Sequence, residues 1–404
     1  MNSKSGFGTA LLHADDHGSN KDSAVDGGSV APSISVSTTF RHTEGDYLTN
    51  WDAADPSRHV YSRYSTPTQL RAEKVLSQIL NGYALTYSSG LAGCCAAIAY
   101  YQPKRIAITK GYMGTHGVLD IFKRSISNMT MIDLDDDYRP GDLAWVETPL
   151  NPTGEARNIR KYADKIHAVG GKLVVDSTFG PPPLQDAFRF GADCVFHSGT
   201  KYFGGHSDLL CGVLVVKDLE VWRQLHHDRV HLGSMMGSLE TWLLLRSLRT
   251  LHLRVPRQSE TATSLVQWLL RVSETPKGKT WDGVPGGLIH TVYHSSLQQD
   301  KVDFDVKAQM PGGFSPTFAI LLADPSHAER LPFAVRIFTA ATSLGGVESL
   351  MEQRRMADPD EDERLVRLSV GLEDLEDLRE DLRQALRSLT STTCSKFKQE
   401  KAKL

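Results

Sequence analysis

A chain of 404 residues is too long for one ordinary hydrophobic core, so two or three domains are expected. Its composition, 40% hydrophobic and 23% charged with a net charge of -3, is that of a soluble globular protein and gives no electrostatic reason to expect nucleic acid or an anionic membrane as partner. No apolar run approaches bilayer-spanning length, which leaves small-molecule chemistry as the starting expectation.

Residues 1–60 read as an N-terminal arm rich in Gly, Ser, Asp and His, with a short extended stretch at 33–40 and no secretory apolar core. A cytoplasmic protein is therefore expected. From about Gln69 the pattern changes. Residues 70–80 have helical periodicity with Gly82 as a stop, and 91–100 form a second helix in which Cys94 and Cys95 point in different directions. Short apolar runs at 106–108, 131–132, 143–146, 173–175, 194–196 and 212–216 are strand candidates, the last closing the longer apolar run 209–216. Helices alternating with such runs predict right-handed βαβ units and a mostly parallel sheet, with ligands beyond the carboxyl ends of its strands.

The leucine- and arginine-rich run 239–253 is expected to start a long connecting helix, kinked or ended by Pro256. A smaller C-terminal α/β domain begins between Pro256 and Leu288. Its expected pieces are strands at 288–293, 317–322 and 365–370 and helices at 332–342 and 373–389. The division is an arm at 1–60, a large domain at 61–256, a small domain at 257–390 and a tail at 391–404. That tail closes on Ala402-Lys403-Leu404, one small-residue change from the Ser-Lys-Leu peroxisomal address, or simply a frayed terminus. Five cysteines, with Cys194, Cys211 and Cys394 scattered, give neither a disulfide framework nor zinc-ligand spacing, and no metal is expected.

The chemistry is concentrated around Lys201, in the run Ser198-Gly199-Thr200-Lys201-Tyr202-Phe203-Gly204-Gly205-His206-Ser207-Asp208, and around Asp176-Ser177-Thr178, which closes the apolar run 173–175. Pyridoxal phosphate needs a partly desolvated amine, an anionic partner for its ring nitrogen and small donors for its phosphate. A surface lysine in a glycine-rich loop would explain neither the hydroxyls nor the upstream acid.

The Lys201 run resembles the lysine segment of the Cys/Met-metabolism pyridoxal-phosphate enzymes, the group of cystathionine γ-synthase, the cystathionine lyases and the O-acylhomoserine sulfhydrylases. Five segments in the same order extend the resemblance from about Pro32 to Leu378. It implies a fold-type I transferase: α/β, with a large mostly parallel sheet domain and a smaller C-terminal α/β domain. Lys201 would be the covalent anchor of pyridoxal 5'-phosphate and then the base at the substrate Cα. Asp176 would hold the ring nitrogen protonated, and Thr178 would lie beside it. Ser198 and Thr200 would complete the phosphate cup with Ser89 and the backbone of Gly90 and Leu91 at a helix start, although Ser89 is locally an equally good N-cap. Tyr112 would stack on the ring, with its phenol able to take part in proton transfer, and Asn151 of Glu147-Thr148-Pro149-Leu150-Asn151-Pro152 would contact its oxygen. Tyr61 and Arg63 of Tyr61-Ser62-Arg63-Tyr64 would reach a neighbouring subunit's phosphate, which implies a homodimer or homotetramer with a shared site. Arg367 would grip the substrate α-carboxylate, with pairing to a nearby acid such as Glu363 as the other reading, and Ser343 belongs to the loop that closes the pocket.

Departures cluster around the substrate. Thr66 stands where asparagine is usual, Thr342 where γ-lyases tend to carry glutamate, residues 351–355 replace a histidine-bearing stretch, and 47–59 look like an insertion. The expected reaction is γ-replacement on an O-acylhomoserine-like amino acid by a thiol or other nucleophile. Cystathionine β- or γ-lysis is the alternative, and a catalytically silent binding subunit the third reading.

Overall fold

The computed structural model describes residues 5–15, 30–42, 58–126 and 129–390. Residues 47–57 of the insertion, Cys394 and Ala402-Lys403-Leu404 lie outside the described residues. The chain forms two compact units, the first from residues up to 151, 156–256 and 302–313, the second from 152–155, 257–301 and 314 onward.

The first unit is built on seven strands: β1 Tyr83–Tyr87, β2 Arg105–Ala107, β3 Thr130–Ile132, β4 Leu143–Glu147, β5 Lys172–Asp176, β6 Cys194–Ser198 and β7 Gly212–Val216. Their order is β1-β7-β6-β5-β4-β2-β3. Neighbours from β3 to β6 run parallel, while β7 is antiparallel to both β6 and β1. Strands β4 and β7 are buried along their whole length, because helices cover both faces, so they read as continuous apolar runs rather than alternating ones. Within the apolar run 209–216 the strand occupies only the last five residues. Cys211 is drawn instead to the Lys201 loop, its N–H donating to Thr200 Oγ1 at 2.9 Å.

Helix starts follow their caps. Thr66 caps Pro67–Ile79, Ser89 caps Gly90–Tyr101 and Asn158 caps Ile159–His167, each side-chain oxygen accepting a first-turn N–H. A further helix, Phe7–His13, lies within the segment read from sequence as an arm, and buries Ala10 and Leu11. A buried ionic network ties this unit together: Arg229 pairs with Glu73, whose Oε1 also accepts Thr86 N–H at 2.9 Å and Thr86 O–H at 2.7 Å.

The run 239–253 holds one short helix, Ser238–Leu248, and the start of the expected long one, Leu251–Ser273, and Pro256 lies inside the second without ending it. The break at Arg249-Thr250 is stabilised by buried Arg254, which donates to Ser247 O at 3.1 Å and Tyr202 O at 2.9 Å.

In the second unit, β8 Thr280–Trp281 and β9 Val284–Pro285 form a hairpin, and β10 Ile289–Tyr293, β11 Thr317–Leu322, β12 Thr339–Ala340, β13 Leu350–Gln353 and β14 Leu365–Ser369 form a sheet of order β10-β11-β14-β13-β12. Its core joins Leu265, Leu269, Phe318, Ile320, Val366, Leu368, Leu382 and Leu386. The helix expected at 332–342 instead spans Pro325–Ala334, capped by Asp324. It cannot continue because Asp381 takes the next N–H groups, those of Arg336, Ile337 and Phe338, at 2.7, 2.8 and 3.1 Å. Strands β1, β8, β9, β12 and β13 were not expected from the sequence.

Candidate active site

Strand register places the chemistry along one edge of the large sheet. Glu147 ends β4 opposite Asp176, which ends β5; Ser198 ends β6 opposite Gly212, and Gly212 faces Tyr87 at the end of β1. The turns leaving these positions carry Asn151, Thr178, Lys201 and Ser89. This is the carboxyl edge of the parallel strands, where an open α/β sheet leaves room for a ligand.

Asp176 is 4% exposed. Its Oδ1 accepts the Thr178 N–H at 3.0 Å and the Thr178 O–H at 2.6 Å, and Thr178 Oγ1 in turn accepts the Ser198 N–H at 2.9 Å. One threonine thus links the acid of β5 to the hydroxyl-bearing end of β6. Burial, followed by the like charge of Glu147, pushes the Asp176 carboxyl up to about 8, against the smaller opposing pull of the Thr178 bonds.

Lys201 is half-buried in a tight turn, its N–H donating to Ser198 O at 3.1 Å and its carbonyl accepting Gly205 N–H at 2.7 Å. The Thr200 hydroxyl is engaged with the Cys211 backbone, at 2.9 and 3.3 Å, and so clamps this turn to the start of β7. The Ser198 hydroxyl has no hydrogen bond among the described residues. It lies beside the start of Gly90–Tyr101: a Cβ on Gly90 would come 3.1 Å from Ser198 Oγ, and one on Gly212 would come 2.2 Å from Ser89 O. Glycine at both positions is what lets the helix start approach the sheet edge. Ser89 Oγ caps Ala92 N–H at 3.1 Å, which leaves the N–H groups of Gly90 and Leu91 without intrahelical acceptors.

Tyr112 is the N-cap residue of Met113–Phe122 and is 46% exposed. Its N–H donates to Glu147 Oε2 at 2.7 Å, and Asn151 N–H donates to Glu147 Oε1 at 2.6 Å. Glu147 therefore sets the backbone of both residues, a function the sequence reading did not give it. The signal was available, since Glu147 closes an apolar strand as Asp176 does.

Tyr61 and Arg63 are held elsewhere. Tyr61 bridges Thr39 in the extended stretch of the arm, and Arg63 donates to Val230 O at 3.2 Å while lying over the rings of Tyr61 and Tyr64. Among the described residues Arg63 bonds none of Asp176, Ser89, Ser198 or Thr200.

In the second unit Arg367 is 5% exposed on β14, its Nη2 donating to Glu352 Oε2 and to Ser343 O, both at 3.0 Å. The acid beside it is thus Glu352 of β13, not Glu363, which pairs with Arg355 at 2.6 Å. Ser343 has φ +82, a conformation unusual for a residue with a side chain, and this turns its carbonyl to the guanidinium.

The family model for Cys/Met metabolism PLP-dependent enzymes matches residues 8–387. The cystathionine gamma-lyase of Saccharomyces cerevisiae is 33% identical over 95% of this chain and 98% of its own length. The cystathionine gamma-synthase of Mycobacterium tuberculosis is 34% identical over 81% of this chain and 86% of its own. Among solved structures, a methionine gamma lyase from Micromonospora echinospora matches with a TM-score of 0.81 and 32% identity, covering 95% of this chain and 99% of that one. The chain belongs to the Cys/Met-metabolism family of pyridoxal-phosphate-dependent enzymes.

The residues at the sheet edge fit the family's cofactor. A buried carboxyl with one oxygen occupied by Thr178 suits the protonated ring nitrogen, whose positive charge offsets the cost of ionising Asp176 there. The unpartnered Ser198 hydroxyl and the helix-start N–H groups suit a phosphate. Among the described residues no His, Cys, Asp and Glu grouping could hold a metal ion, and no helix is long and apolar enough to cross a membrane.

Proposed function

We propose that this family member catalyses γ-replacement on an O-acylhomoserine-like amino acid, a thiol adding at Cγ as the acyl group leaves as a carboxylate. Bound pyridoxal phosphate supplies the electron-withdrawing ring that stabilises negative charge at the substrate carbons. Lys201 anchors it, and its amine then takes the Cα proton and later returns it. Asp176 keeps the ring nitrogen protonated, held in place by Thr178. Ser198, Ser89 and the N–H groups of Gly90 and Leu91 would hold the phosphate, with Thr200 bracing the loop, and Tyr112 and Asn151 would hold the ring. Arg367 takes the α-carboxylate and Ser343 borders it. Tyr61 and Arg63 serve the phosphate of a second copy in a homodimer or homotetramer, which accords with Arg63 bonding none of the phosphate-side residues of its own chain.

Thr342 carries the choice of replacement over lysis. It is exposed, beside Ser343, at a position where γ-lyases tend to carry glutamate. The likeness to proteins named cystathionine gamma-lyase favours lysis as the second reading. Incubation with O-acetylhomoserine, with and without a thiol, and separately with cystathionine separates them. Acetate release that requires the thiol supports replacement, whereas 2-oxobutyrate or pyruvate from cystathionine as the dominant product refutes it. Borohydride reduction followed by peptide mapping should place the cofactor on Lys201; a colourless protein unchanged by borohydride would point to a silent subunit. For location we propose the cytoplasm, tested by a fluorescent tag at the N-terminus, which leaves Ala402-Lys403-Leu404 free; punctate signal would favour the peroxisome.

A further inference from the structure

The backbone of Lys201 sits between two clamps. Just before it, the Thr200 hydroxyl is bonded to the Cys211 backbone. Just after it, the carbonyl of Tyr202 accepts Arg254 Nη1 at 2.9 Å. Arg254 is 4% exposed, and its other donors go to Ser247 O, Ser247 Oγ and Thr250 Oγ1, each at 3.1 Å. Ser247 Oγ in turn donates to Gly204 O, so one cluster holds both Tyr202 and Gly204 of the Lys201 turn. Gly205 leaves the guanidinium room to reach that turn: a Cβ there would come 2.2 Å from Arg254 Nη1.

The acceptors of Arg254 set it apart. Arg229, also buried, pairs with Glu73, whereas every acceptor of Arg254 among the described residues is an uncharged oxygen. Burial alone pushes its guanidinium down to about 10. Burying a cation without a carboxylate is costly, but the planar fork makes charge-assisted bonds to several carbonyls at once and fixes them relative to one another. We propose that Arg254 is a positioning residue that fixes the backbone of Lys201, so that the amine meets the aldehyde carbon of the cofactor. This rests on the reading of Lys201 given above. In that step the amine nitrogen bonds to the aldehyde carbon and the aldehyde oxygen leaves as water. Arg254 acts through Tyr202 and Gly204, so its effect falls on the rate of attachment and not on the hold of the phosphate.

The test uses the full chain stripped of cofactor and compares pyridoxal phosphate with pyridoxine phosphate, whose alcohol in place of the aldehyde cannot bond the amine. Absorbance follows attachment at saturating pyridoxal phosphate, and equilibrium dialysis gives the dissociation constant of pyridoxine phosphate. Lys201→Ala should abolish attachment; if attachment survives, the reading of Lys201 fails, and the role of Arg254 with it. Arg254→Met should slow attachment about ten- to hundredfold, the cost of a misplaced reacting group, and leave pyridoxine phosphate within about twofold of the parent. Arg254→Lys keeps the charge but lacks the fork, so it should slow attachment about tenfold or more. The proposal is overturned if Arg254→Met attaches at the parent rate or weakens pyridoxine phosphate by as large a factor as it slows attachment. It is also overturned if Arg254→Lys attaches at the parent rate, which would make charge rather than placement the cause. Should Arg254→Met fail to fold, Arg254→Lys alone decides.

Discussion

Asp176→Asn tests the electrostatics of the cofactor edge directly. In the protein stripped of its cofactor, burial and the charge of Glu147 hold the Asp176 carboxyl at about 8, against about 3.9 for an exposed aspartate. Between those values the unfolded chain has released this proton and the folded chain keeps it, so the folded state binds more protons and loses stability as pH rises. The loss is about 1.4 kcal/mol per pH unit, on the order of 5 kcal/mol over the interval, and it is complete above the folded value. Asparagine cannot ionise, and its Oδ1 can still accept both Thr178 bonds that Asp176 Oδ1 accepts at 3.0 and 2.6 Å. Urea denaturation of cofactor-stripped parent and variant from pH 5 to pH 9 should give a stability difference that grows in favour of the variant with rising pH. Parallel pH curves for the two proteins would refute the reasoning. Restoring the cofactor should reverse the ranking, because only the carboxylate can offset a protonated ring nitrogen.

Glu147→Gln removes the like charge beside Asp176, so the alkaline loss of stability should shrink; it also cannot accept both the Tyr112 and Asn151 N–H groups as Glu147 does at 2.7 and 2.6 Å, and kcat should fall about tenfold or more with cofactor content unchanged. A pH–stability profile identical to the parent's would contradict the first half. Arg229→Met leaves the buried Glu73 without its cation and should cost about 3–5 kcal/mol, whereas Glu73→Gln/Arg229→Met should recover most of that; equal losses in denaturation would remove the ion-pair explanation. Ser343→Gly should gain about 1 kcal/mol by relieving φ +82, and Ser343→Ala should gain nothing, both read as shifts in the urea midpoint.

Much of the fold is legible because buried parallel strands are short apolar runs with little else to become. Leu143–Glu147, Lys172–Asp176 and Cys194–Ser198 each sit within two residues of their expected bounds. What escapes is decided by partners distant in sequence. Strand β13 reads Leu-Met-Glu-Gln, a polar ending that no periodicity marks as interior, yet all four residues are buried, Glu352 by two arginines and Gln353 by the Glu363 carbonyl at 2.7 Å. The end of Pro325–Ala334 depends on Asp381, almost fifty residues further along, although its start at Asp324-Pro325 was an ordinary cap followed by a first-turn proline. Pro256 does not end the long helix that the run 239–253 was expected to start: the local rule against proline in helices is outweighed by the continuity of a long packed helix.

The two ends of the candidate site differ in the same way. Asp176, Thr178, Ser198 and Lys201 lie on consecutive strand ends, so an acid closing one apolar run and a hydroxyl-flanked lysine after the next already imply their proximity. The same rule applied to Glu147 would have named the residue that orders Tyr112 and Asn151. Around Arg367 no such rule operates. Its sequence neighbour Glu363 pairs instead with Arg355, and the acid it meets is fixed by the β13–β14 register, which sequence proximity does not reveal. Arg354, just past β13, adds its charge to that same register-made pair. The sheet-edge cluster is therefore readable from local order, while the ionic contacts around Arg367 depend on how two antiparallel strands align.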